Sequence, residues 1–117
     1  MAAEGFAYSA PTIELEVYGV AFSIEVGDVA LVEAVDTATA KVMGLGDESR
    51  WADVSECLRG AIRAVMGADR FDEAFGGRPA NVIAEIECLA YIRRRIREGL
   101  EGADALSEAV KRLLSEE

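Results

Sequence analysis

Four arginines crowd one short stretch of the chain, Arg93-Arg94-Arg95 and Arg97, in a protein that is otherwise acidic. Guanidinium groups bind carboxylates and phosphates through planar, forked hydrogen bonds. Two assignments are open for them. They favour the C-terminal end of a helix, where the dipole stabilises cations and Glu98 and Glu101 are at hand as partners, or they dock an acidic protein surface or a second copy. Phe71 and Phe75, one helical turn apart, form the second group. They either belong to the core or anchor a partner helix from a short, glycine-bounded segment. Asp69, Asp72 and Glu73 surround that segment. They lack the ligand spacing and central glycine of a calcium loop and read as a solvated, helix-starting acidic turn.

Other chemistry is harder to build. The chain has no histidine and two cysteines, Cys57 and Cys88, with no CxxC pair. Two thiols without imidazole do not fill a tetrahedral zinc shell, and both lie in apolar helical patterns, which predicts free buried thiols in a reduced cytoplasm. Gly44-Leu45-Gly46 follows a helix rather than a strand and lacks the lysine of a phosphate loop. No nucleophile–base pair is in view. The expectation is therefore a protein with no catalytic residue, cofactor, metal or small-molecule substrate.

Composition narrows the partners. With 12 basic and 22 acidic side chains among 117 residues, the formal net charge is −10. A polyanion repels nucleic acid unless a local basic patch prevails, and four arginines with little aromatic interleaving make a poor groove reader. Ten of the twelve basic residues lie after residue 50. No apolar run approaches the ~20 residues of a spanning helix. Met1-Ala2-Ala3-Glu4-Gly5 has no basic region ahead of an apolar core, so it does not read as a secretory signal. A hydrophobic content of 51% excludes a disordered acidic tail.

The elements that position these residues follow from periodicity. Residues 1–11 form an irregular lead-in. Ile13, Leu15 and Val17, then Val20, Phe22, Ile24 and Val26, alternate with polar or small residues, which predicts a hairpin over 12–26. A two-residue loop at Tyr18-Gly19 places Val17 opposite Val20, Leu15 opposite Phe22 and Ile13 opposite Ile24, all on one face. Such a loop needs φ > 0 twice, and Tyr18 is an unusual residue for it. Asp28 is placed to cap a helix over 29–44 that ends at Gly44 and Gly46. Asp47 or Ser49 caps a second over 48–66, with Trp51 assigned to the core. A short turn covers 70–75. Pro79 fits the first turn of a third helix over 79–98, with Ile92 and Tyr91 flanking its apolar stripe. Gly99 and Gly102 bracket a joint before a short terminal helix with Leu106, Val110 and Leu113. The predicted fold is a single α+β domain, helix dominant: an N-terminal two-stranded antiparallel hairpin packed on three to five helices.

The order of elements and the Phe71-Asp72…Phe75-Gly76 stretch resemble the small tail assembly chaperone-like proteins of tailed phages and prophages, over roughly residues 12–98. The resemblance implies a non-enzymatic, cytoplasmic role: binding a long helical tape-measure protein and keeping it soluble until the tail tube forms around it. On that view the contact is Phe71, Phe75 and the apolar edge of the third helix, with Arg93, Arg94, Arg95 and Arg97 reading acidic residues of the partner. A small acidic regulator, antitoxin-like and bound to a basic protein, is the alternative implied by the charge. The open hairpin edges leave room for a homodimer.

Overall fold

Alternation of apolar and polar residues becomes a hairpin with the predicted register. A computed structural model describes residues 5–46, 50–102 and 105–115. Strands β1 (Thr12–Val17) and β2 (Val20–Glu25) pair antiparallel, with Val17 opposite Val20, Leu15 opposite Phe22 and Ile13 opposite Ile24. Leu15, Val17, Val20, Phe22 and Ile24 are buried on one face, while Glu14, Glu16 and Glu25 are exposed on the other. The turn has both residues left-handed, Tyr18 at φ 49° and Gly19 at φ 80°. A non-glycine residue there costs on the order of 1–2 kcal/mol. Packing offsets it: the Tyr18 ring meets Phe75 edge-on at 5.3 Å, and the Arg78 guanidinium lies 3.8 Å above its face.

Helix α1 (Val29–Met43) begins where Asp28 Oδ1 accepts hydrogen bonds from the amides of Ala30 and Leu31, at 3.0 and 3.3 Å. Gly44 closes it. Helix α2 (Trp51–Met66) starts after Arg50 with no side-chain cap; the expected caps, Asp47 and Ser49, lie outside the described residues. Gly67, at φ 87°, separates α2 from α3 (Ala68–Phe75). Helix α4 (Val82–Gly102) and helix α5 (Ala105–Ser115) complete the chain. Around the central α2 lie α1, α3 and α4, and the hairpin lays its apolar face on α2, α3 and α4. This is the helix-dominant α+β fold expected.

Three expectations are corrected. Helix α4 begins three residues after Pro79, because Asn81 is the better start: its Oδ1 accepts from the Ala84 amide at 3.0 Å, while Glu85 Oε2 accepts from the Asn81 amide at 3.3 Å, a reciprocal cap. Helix α4 also runs through Gly99 rather than ending before it. A Cβ at Gly99 would sit 3.3 Å from methyl groups of both Ile13 and Val26, so the glycine marks close contact between helix and hairpin, not a break. Trp51 is 57% exposed rather than in the core.

Candidate protein-binding surface

Helix α4 carries most of the residues in question and divides them by face. Glu85, Leu89 and Ile92 are buried, so Ile92 lies at the centre of the seam instead of on its flank. Arg93, Arg94 and Arg97 are exposed, and Arg95 is half-buried. The arginine run is thus two structures. Arg95 turns toward the hairpin, where one terminal nitrogen donates to the Glu14 carbonyl at 3.0 Å and the other pairs with Glu98 at 3.4 Å.

That contact belongs to a set that seals the hairpin. In a two-residue-loop hairpin, the backbone groups of Glu14, Glu16 and Ala21 point outward from the ladder. The Glu16 amide donates to the Tyr91 hydroxyl at 3.1 Å, and Arg70 Nε donates to the Ala21 carbonyl at 3.1 Å. Side chains of α4 therefore cover the outer edge of β1, and one from α3 reaches the edge of β2. Unpaired strand edges invite association with other strands; here β1 is plugged by Tyr91 and Arg95.

Arg93, Arg94 and Arg97 make no ion pair with any described residue. Together with Glu87, Ala90 and Tyr91 they line an open groove of about 430 Å³. Arg94 sits 5.7 Å over the Tyr91 ring, which holds its guanidinium without neutralising it. Beside this groove, and sharing Glu87 and Tyr91 with it, is a cleft of about 240 Å³ whose other walls include Val17, Tyr18, Ala84 and Cys88. Burial, with a smaller contribution from the Glu85 carboxylate, pushes the Cys88 thiol up from 9.0 to about 11. Cys57 and Cys88 are both free and half-buried.

Phe71 and Phe75 are buried and stacked on each other at 4.8 Å, so in this packing neither ring is offered to a partner. Arg59 lies over both, at 6.0 and 5.6 Å. Its Nε pairs with Glu85 at 2.8 Å, and the other Glu85 oxygen accepts from the Ser55 hydroxyl at 2.6 Å. Glu85 is 1% exposed and joins α2, α4 and the connection before α4 in one network. Its place was visible in the spacing: it lies four residues before Leu89 and seven before Ile92, on the stripe itself. The carboxylates of Asp69, Asp72 and Glu73 are exposed, and no group of three or more possible metal ligands occurs among the described residues.

Helix α5 is the other unusual surface. Leu106, Val110, Leu113 and Leu114 fall on one side of it, and all are exposed, the three leucines by 63–75%. Its chief neighbour is α4. No helix among the described residues is long and apolar enough to cross a membrane. No family model, curated protein or solved structure matches this chain.

Proposed function

We propose that this protein is a non-enzymatic tail assembly chaperone-like protein of a phage or prophage, binding a helical tail protein of the tape-measure kind and holding it soluble before assembly. The observation that carries this reading is the open apolar stripe of α5. An isolated helix of eleven residues is marginal in water, and amphipathic helices gain most of their stability by burying the apolar side. Leu106, Val110, Leu113 and Leu114 have that side, and among the described residues it is left exposed. A helix of another protein, laid along the stripe, supplies the cover. The net charge of −10 keeps a protein with such a surface from associating with itself indiscriminately. Arg93, Arg94 and Arg97 add a basic face for acidic residues of the partner.

The test is a tagged pull-down from the source cell with prophage induced, read by mass spectrometry, using the wild-type chain and the double variant Leu106→Ser/Leu113→Ser. A long helical tail protein as the dominant partner, reduced at least tenfold with the double variant, supports the reading. A small basic protein in its place favours the acidic regulator instead and defeats the chaperone role.

A further inference from the structure

We infer that the groove of Arg93, Arg94 and Arg97 and the cleft beside it form one footprint for an acidic amphipathic helix, taking a bulky apolar side chain in the cleft and carboxylates on the arginines. This rests on the reading of the chain as a binder of helical protein. Three observations support it. The two depressions share Tyr91 and Glu87 as walls. The three guanidiniums are exposed and unpaired among the described residues, in a chain with nearly twice as many acids as bases. Arg94 is already seated over Tyr91, which lowers the ordering cost of engaging a carboxylate.

Charge complementarity selects the occupant. Guanidiniums seek anions, yet the field of the whole chain repels them. A partner held by charge alone would be weak. A segment with an apolar anchor next to its carboxylates gains from burial in the cleft as well: Val17, Tyr18, Ala84, Cys88 and Tyr91 suit a leucine- or phenylalanine-sized group, while Glu16 and Glu87, which also line it, keep the carboxylates of the partner to the arginine side. Along α4, Ala84 and Cys88 precede the three arginines by between one and a half and three and a half helical turns, about 13 Å on average. A helix lying beside α4 meets both if its apolar residue and its carboxylates are about two turns apart.

The experiment measures binding of a short alanine-based helical peptide bearing one leucine and, two turns along, three glutamates. Controls replace the glutamates by glutamine or the leucine by alanine. The protein is used whole, as wild type, as the triple variant Arg93→Gln/Arg94→Gln/Arg97→Gln, as Ala84→Met, which fills the cleft, and as Leu106→Ser/Leu113→Ser; circular dichroism checks that each is folded. The expected result is saturable binding to wild type, at least tenfold weaker for either control peptide and for the triple variant, with Ala84→Met abolishing the benefit of the leucine. Equal binding of the glutamine peptide, or an unchanged triple variant, overturns the footprint. So does stronger binding of an oligouridylate, which would assign the arginines to phosphate. Peptide binding lost only in Leu106→Ser/Leu113→Ser overturns the footprint while leaving the holding role on α5 intact. Absence of peptide binding overturns it too, and the pull-down then decides the holding role separately.

Discussion

Glu85 is the residue on which three parts of the chain converge. Its carboxylate pairs with Arg59, accepts from Ser55 and accepts from the Asn81 amide. Removing one partner of a buried pair costs more than the pair contributes, because the other is left without compensation. Arg59 retains some contact with solvent, which moderates that penalty. Glu85→Ala is therefore expected to lower stability by about 2–3 kcal/mol in urea denaturation. Cys88 offers a test of a different kind. Its thiol is held near 11 against 9.0 for an ordinary thiol, so the folded state retains a proton that the unfolded state loses. Through this thiol, stability is unchanged below pH 9 and falls as pH rises from about 9 to 11. Alkylation of Cys88 in the native protein at pH 8 is expected to be much slower than after unfolding, measured by mass spectrometry of peptides; equal rates would contradict the burial. At this scale the sequence displayed the residues but not their pairings. Spacing puts Glu85 on the apolar stripe, but its partners Ser55 and Arg59, far away in the chain, are settled only when packing brings them against it.

The elements were more legible. Hairpin register, the Asp28 cap and the bounds of α1 follow from local rules, since side-chain period and capping hydrogen bonds act within a few residues. The start of α4 was not, because Pro79 and Asn81 are both plausible helix starts and the choice fell to the reciprocal bonding of Asn81 and Glu85. Two glycines make the distinction between local and tertiary control measurable. Gly60 in α2 has nothing within 4 Å of where a Cβ would be, so Gly60→Ala is expected to raise stability by about 1 kcal/mol through helix propensity. Gly99 in α4 gains the same propensity but meets Ile13 and Val26 at 3.3 Å. Gly99→Ala is expected to lower stability by about 1 kcal/mol, the overpacking cost exceeding the propensity gain. Thermal melts of the two variants should shift in opposite directions.

For the whole molecule, the radius of gyration is 17.5 Å, with extents of 61 × 30 × 24 Å. A compact chain of this length has about 13 Å. Helix α5, whose chief neighbour is α4, and the exposed lead-in before β1 are the parts least packed on the core. Small-angle scattering of the free protein should return a radius near 17.5 Å, and deletion of residues 103–117 should reduce it while moving the Tm by only a few degrees. A large loss of Tm would mean that α5 covers part of the core.

By itself, the sequence determined what local forces decide: a hairpin with Leu15, Phe22 and Ile24 inward, helices broken at Gly67 and Gly76-Gly77, an acidic chain with no histidine and one dense arginine run. Only the tertiary structure decided which of those arginines are free. Arg95 is spent on the β1 edge because α4 happens to lie beside Glu14, whereas Arg93, Arg94 and Arg97 face solvent. Phe71 and Phe75 went into the core, and α5 kept its leucines exposed. The physical reason is the same in each case. Periodicity states that a face is apolar or basic, but burial and pairing depend on groups distant in the chain, and these are set only when the elements pack.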